Sequence, residues 1–262
     1  MPSDILTPPP PPADARVRYG GDESHFIDLR LPQPGVSAPP LVMNIHGGFW
    51  RARYDLAHAG HFCAALTARG LATANVEYRR VGNEGGGWPG TLEDIRRAYE
   101  FLRRNEERHN FDATKVLVVG HSAGGQLALC LAACESGVRR VIALAGVLDL
   151  RRAYELHLSD DAVVEFLDGA PGAVAARYGE ADPMQLSIIG ARQVLIHGSA
   201  DDVVPVDVSR EYVAAKQRRT GVEKEDVRLV EIDAADHFSL IDPRTAAWNA
   251  VADEVWRIFA DV

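Results

Sequence analysis

The chain runs from Lys115-Val-Leu-Val-Val119 through Gly120-His-Ser-Ala-Gly-Gly125 directly into Gln126-Leu-Ala-Leu-Cys-Leu-Ala-Ala133. A buried-strand run followed at once by good helix formers leaves only a few residues in which the backbone can reverse. A turn that tight needs nearly side-chain-free positions on both sides of Ser122, and Gly120 and Gly124 supply them. It lifts the Ser122 hydroxyl off the end of a sheet and aims it at a helix N-terminus, the pattern of a nucleophile elbow. A glycine-rich turn with a capping serine is the plainer reading, and the five-residue pattern alone would not exclude it. The strand before it and the unbroken helix after it favour the elbow.

The rest of the chain supplies strands and helices in alternation. Val17–Tyr19 and His25–Leu31 read as a strand pair, and Leu41-Val-Met-Asn-Ile45 as a buried strand followed by a helix around 56–69. Leu71–Tyr78 is the next strand, and Thr91–Arg108 a long helix with Thr91 as N-cap and Asp94 in its first turn. After the elbow come the strand 140–145, the strand Gln193-Val-Leu-Ile196, a helix near 209–219, the strand Val227–Ile232 and a terminal helix from about Thr245. This rhythm predicts an α/β fold, a mainly parallel sheet with helices on both faces. Residues 149–190 break it, being polar, helix-prone and punctuated by Gly169, Pro171, Gly172 and Pro183. They are expected to form a short cap inserted between two sheet strands. Residues 1–16 contain the run Pro8–Pro12, which favours an extended, mobile leader, so the domain is expected to cover 17–262.

Composition narrows the possibilities further. At 262 residues one domain with a filled core is expected, and 47% hydrophobic with 25% charged residues is globular. A net charge of −9 offers no footprint for nucleic acid or anionic lipid. No apolar stretch reaches the length of a membrane span, and the N-terminal residues do not read as a signal peptide. Three cysteines, with Cys130 and Cys134 one helical turn apart, suggest apolar packing rather than a disulfide framework, which fits a cytoplasmic location.

A serine hydroxyl becomes a nucleophile only when a base takes its proton and an acid orients that base. The acid candidate is Asp201 in His197-Gly-Ser-Ala-Asp-Asp-Val-Val-Pro205, just past a strand, with Asp202 as rival. The base candidate is His237 in Ala235-Asp-His-Phe-Ser239, past the last strand, which gives the order Ser, Asp, His. His46-Gly47-Gly48-Phe49-Trp50 follows the first buried strand, where backbone N–H groups would face a developing oxyanion. The expected donors are the amides of Gly48, Phe49 and Ala123, with Gly47 shaping the loop. His58 and His61 lie one turn apart without a third ligand and read as solvated helix positions. His121 and His197 read as packing or loop-fixing residues. No metal or other cofactor is called for.

With these four segments, the chain resembles an α/β-hydrolase-fold serine esterase. His46-Gly-Gly-Phe-Trp50 is similar to the His-Gly-Gly-x-Trp motif of kynurenine formamidases, and Val119-Gly-His-Ser-Ala-Gly124 and Asp236-His-Phe-Ser-Leu-Ile241 fit the same group. Bacterial carboxylesterases and prolyl-oligopeptidase-type catalytic domains share much of the pattern. The resemblance implies Ser122 as nucleophile, Asp201 as acid, His237 as base, and Gly48 and Phe49 at the oxyanion hole.

Phe49, Trp50, Trp88 and Phe238 adjoin catalytic or pocket loops, which makes an aromatic substrate site the expectation and core packing the alternative for each. A short cap with flat aromatic walls predicts short acyl groups on an aromatic or sugar-like leaving group. The reading is hydrolysis of small carboxylic esters through a covalent acyl-enzyme, with a small-molecule ester or amide as the only partner expected. Aryl-formamide hydrolysis, a small peptidase or amidase, and a non-catalytic ligand receptor on the same fold are the alternatives. The sequence leaves the oligomeric state open.

Overall fold

The computed structural model describes residues 4–33, 38–218 and 224–260. Strands β1 (Ala15–Arg18) and β2 (Phe26–Arg30) form an antiparallel pair, and β3 (Pro40–Ile45) follows. A 3-10 turn at Leu56–Ala59 leads into α1 (Gly60–Ala68), then β4 (Ala72–Val76), α2 (Gly90–Arg104), the single turn α3 (Glu106–His109) and β5 (Asp112–His121). The elbow helix α4 (Ala123–Cys134) and β6 (Arg140–Leu144) precede three short helices, α5 (Leu150–Glu155), α6 (Ala162–Leu167) and α7 (Ala175–Ala181). The chain then returns to the sheet as β7 (Arg192–Gly198), α8 (Asp207–Arg218), β8 (Asp226–Ile232) and α9 (Ala247–Ala260).

The strands assemble into one eight-stranded sheet in the order β1-β2-β4-β3-β5-β6-β7-β8. From β4 to β8 every pairing is parallel, while β1–β2 and β2–β4 are antiparallel. Alternate residues of the central strands enter opposite cores. Met43, Val118, Ala143 and Leu195 join one cluster with α2, α4 and α8 residues such as Leu102, Leu127 and Tyr212. Val42, Val119, Ile142 and Val194 join the other with Phe62 and Leu66 of α1 and Trp248 and Val251 of α9. Helix α4 is buried from Ala123 to Ala132, so its apolar surface runs all the way round, as sequence 126–133 requires. One polar pair sits within the sheet. Asn44 and Asn75 are register partners on β3 and β4; the Asn44 amide donates to Asn75 Oδ1 at 2.9 Å, and the Asn75 amide donates to the Leu56 carbonyl.

Two sequence expectations change here. Thr91 lies inside α2 rather than capping it: its hydroxyl donates to the Arg79 carbonyl, and the Gly87 N–H donates to it. Asp94 is buried and accepts a two-pronged bond from Arg79, so it anchors the preceding loop. The proline segment also departs from the mobile leader expected of it. Residues 4–14 lie along the domain, with Ile5 1% exposed within the α1–α9 cluster. An extended proline run makes no hydrogen bonds of its own, so its carbonyls are free to be claimed by side chains. His61 takes that of Pro8 at 3.1 Å and Arg30 that of Pro11 at 2.7 Å. Among the described residues, no helix is long and apolar enough to cross a membrane.

The elbow is where the packing is tightest. A Cβ on Gly120 would fall 2.0 Å from the Gly124 carbonyl oxygen, and one on Gly124 would fall 2.1 Å from that of Ile45 at the end of β3. Backbone atoms cannot retreat as a flexible side chain can. Gly124→Ala is expected to cost about 3 kcal/mol, the upper part of the usual overpacking range. For a chain of this size that lowers Tm by roughly 6–12 °C. Gly21→Ala, at a site with no atom within 4 Å, serves as the control and should leave the thermal melt unchanged. Equal melting of the two variants would mean the elbow can relax.

Candidate active site

Ser122 stands between β5 and α4 with φ 57° and ψ −120°, a conformation unfavourable for a residue bearing a Cβ. Backbone hydrogen bonds hold it there. Its N–H donates to the Leu144 carbonyl at 2.8 Å, and its own carbonyl accepts from Gly125 and Val147. The N–H of Ala123 opens α4, where the first-turn amides lack intrahelical acceptors.

The loop after β3 approaches this turn closely enough to explain its glycines. A Cβ on Gly47 would sit 2.9 Å from the His121 carbonyl oxygen and 3.1 Å from Ser122 Cβ. Gly48 has φ +116°, and a Cβ there would strike Tyr54. Phe49 and Trp50 follow with φ 49° and 58°, so the backbone turns left-handed over three residues. The loop rests on Glu77, which sits just past β4. The Glu77 carboxylate meets His46 Nε2 at 3.1 Å and Arg80 at 3.2 Å and accepts from the Leu56 and Tyr78 N–H groups. The Tyr78 hydroxyl donates to the His46 carbonyl, and the two rings stack at 4.4 Å. Burial would raise the Glu77 pKa, but His46 and Arg80 outweigh it and hold the carboxyl below its usual range. Sequence reading passed over Glu77. Its only signal was a charged residue closing a buried-strand run.

His237, on the loop after β8, bonds through Nδ1 to Asp201 Oδ2 at 2.7 Å. The other carboxylate oxygen accepts the N–H groups of Val203 and Val204. His197 Nε2 donates to the Val204 carbonyl at 2.9 Å and lies 3.2 Å from Asp201 Oδ2, while Ser209 holds its Nδ1. Burial alone would push the Asp201 pKa up. The bonds from His197, His237 and Val204 hold it well below the usual carboxylate range. An ionised acceptor at Nδ1 keeps the proton on that nitrogen and leaves His237 Nε2 free to accept one. Asp202, the rival acid, is exposed. His121 donates from Nε2 to the His237 carbonyl at 2.9 Å, tying the loop after β8 to the elbow.

Ser122, His121 and His237 open onto one cavity of about 300 Å³, with Gly48, Phe49 and Phe238 in its walls. Leu6, Tyr54, His58, Ser159 and Val203 complete the lining, and none of these five was expected from sequence. Trp50 and Trp88, expected there, lie elsewhere. Trp50 is 1% exposed, donates from Nε1 to Gln126 and stacks on Phe166 at 4.4 Å, so it is a core residue that pins the 46–50 loop to α4 and α6. Trp88 meets the same Phe166 edge-on and joins the 81–89 loop to the cap. Arg51 adds a forked pair to Glu165 and a bond to Ser159, fastening the 150–181 segment beside the 46–50 loop. Among the described residues no three His, Cys, Asp or Glu side chains are grouped to hold a metal ion.

His58 is the largest departure from expectation: it is buried against the cavity rather than solvated. Burial, with the neighbouring His46 ring, lowers its pKa to about 4. The unfolded chain takes up this proton near pH 6.5 and the folded chain only near 4. Stability linked to His58 is therefore full above pH 6.5 and is lost as the pH falls towards 4. Urea unfolding at pH 7 and pH 4.5 should show this loss. In His58→Gln the drop between the two pH values should shrink by on the order of 2 kcal/mol; an unchanged drop would place the titration elsewhere.

Comparison with known proteins agrees with this architecture. Esterase LipC of Mycobacterium tuberculosis is 27% identical, the match covering 87% of this chain and 60% of LipC. Kynurenine formamidase avaC of Aspergillus versicolor is 27% identical over 65% of this chain and 73% of its own length. The chain thus spans about three fifths of LipC. A solved carbohydrate esterase from gut microbiota, in truncated form, superposes with a TM-score of 0.80 at 20% identity, covering 95% of this chain and 99% of that one. Its fold is the α/β-hydrolase fold seen here. The BD-FAE family model matches residues 27–215, well over half of the sequence, and the chain belongs to this family of α/β hydrolases.

Proposed function

We propose that this protein hydrolyses small carboxylic esters by nucleophilic catalysis at Ser122. The observation that carries the reading is the 2.7 Å bond from His237 Nδ1 to a buried Asp201, with His237 and Ser122 lining one cavity. His237 Nε2 takes the Ser122 proton as Oγ attacks the ester carbonyl. The tetrahedral oxyanion meets the amides of Gly48, Phe49 and Ala123, each worth roughly 3–4 kcal/mol of barrier. Collapse expels the alcohol, which takes the proton from His237, and leaves an acyl-enzyme. Water activated by the same histidine then releases the acid. Relatives named as esterases support the ester reading. The relative named as a kynurenine formamidase supports aryl-formamide hydrolysis as the second reading, since the same groups could attack a formyl carbonyl.

Ser122→Ala should keep its fold and lose on the order of 10⁴–10⁶ in kcat on p-nitrophenyl acetate. A fluorophosphonate should label the wild type and not the variant. Near-normal turnover by the variant would remove the mechanism. Assaying the wild type on p-nitrophenyl esters beside N-formylkynurenine separates the two substrate readings by their relative kcat/KM.

Asp201→Asn should lower kcat by about 10⁴, because an amide at that position can present its NH₂ to the imidazole and favour the wrong tautomer. Asp202→Asn should stay close to wild type. The comparison fails the assignment if Asp202→Asn is the more damaged enzyme in a parallel kcat determination.

A further inference from the structure

Residues 4–14 form a strap along the domain, and its Leu6 lines the cavity that holds Ser122 and His237. At one end Asp4 pairs with Arg244 at 2.6 Å, just beyond the loop that carries His237, and Ile5 enters the core formed by α1, α9, Leu240 and Ile241. From there the strap passes to the start of α1, where His61 holds the Pro8 carbonyl. Pro10 packs so closely on Gly60 that a Cβ on that glycine would sit 2.6 Å from Pro10 Cβ. Arg30 and the Leu29–Leu31 backbone fasten the remainder through Pro11 and Asp14. Leu6 lies between these anchorages. Its neighbour Ile5 is 1% exposed, while Leu6 itself is 49% exposed and lines the cavity with Tyr54, His58, Val203 and Phe238.

An exposed leucine tethered on both sides is held in place by its neighbours' anchorage rather than by its own burial. Such a side chain can face a ligand without the strap having to fold onto it. We propose that Leu6 is a specificity-determining wall of the substrate site, and that the strap sets how long an apolar chain the cavity admits. The inference rests on the ester reading above and names its substrate class. The occupants it fits are uncharged esters with a short apolar chain. The walls facing that chain are Leu6, Phe49, Val203 and Phe238, and the cavity holds about 300 Å³. The imidazole of His58, held neutral at pH 7, presents no charge to it.

The test compares wild type, Leu6→Ala, Leu6→Trp and Ile5→Ser on two series. One is p-nitrophenyl esters from acetyl to octanoyl, and the other is acetates of alcohols from methanol to octanol. Both Leu6 variants should fold, since the residue is half-exposed. Leu6→Ala should shift the ratio of kcat/KM, long chain over short, upward by about tenfold in at least one series, the lower end of what one methylene group is worth in an apolar pocket. Leu6→Trp should shift the same ratio downward. Ile5→Ser, which frees the strap without altering Leu6, should move it the same way as Leu6→Ala. Ratios within twofold of wild type in both series, in active Leu6 variants, would overturn the proposal and leave the ester reading intact. A wild type inert towards every ester would overturn both.

Discussion

The site depends on one close approach of backbone to backbone. Gly124 lies so near the end of β3, and Gly47 so near the elbow, that neither position has room for a Cβ. This contact brings the 46–50 loop, which leaves β3, against the turn carrying Ser122. It also explains how Ser122 can occupy an unfavourable conformation. The turn is over-determined by hydrogen bonds to Leu144, Gly125 and Val147, and a single weak contact could not have held it. His121, within the same turn, reaches across to the His237 carbonyl, so the loop carrying His237 is registered against the elbow as well.

Three buried carboxyl groups show how surroundings sort charge in this fold. Asp201 and Glu77 stay ionised because imidazole and guanidinium groups or backbone N–H groups meet their oxygens. Asp182, at the base of the cap, is pushed up to about 7 by burial and the nearby Asp149, although its Oδ1 accepts from Leu150 and Met184. Burial is common to all three, and the partners decide the outcome. The same logic runs in reverse for His58 and His121, which burial keeps neutral beside the cavity.

Much of the fold was legible because its signals are local. Periodicity and breakers located the strands from β2 to β8 to within a few residues, and turn chemistry marked the elbow and the His46-Gly47-Gly48 loop. The misreadings share a cause. Thr91 looks like an N-cap from its neighbours, but its hydroxyl answers to the Arg79 carbonyl twelve residues away. Trp50 and Trp88 sit beside catalytic loops in sequence, yet Phe166 of the cap draws both rings away from the cavity. The helical pattern around His58 marks it as a solvated position, because that pattern says nothing about the His46 ring that packs against it.

The alternation that builds a parallel sheet, the glycines that permit the elbow, and the order of Ser122, Asp201 and His237 are written in the chain itself. These depend on backbone propensities and on spacing along the chain. That Glu77 supports the 46–50 loop, that Trp50 is core, and that Leu6 stands in the wall of the cavity beside Ser122 follow from packing alone. Each of these is a contact between segments far apart in sequence. Leu6 and Phe238 are more than two hundred residues apart, and what joins them is burial of Ile5 in a core that exists only once α1 and α9 have packed on the sheet.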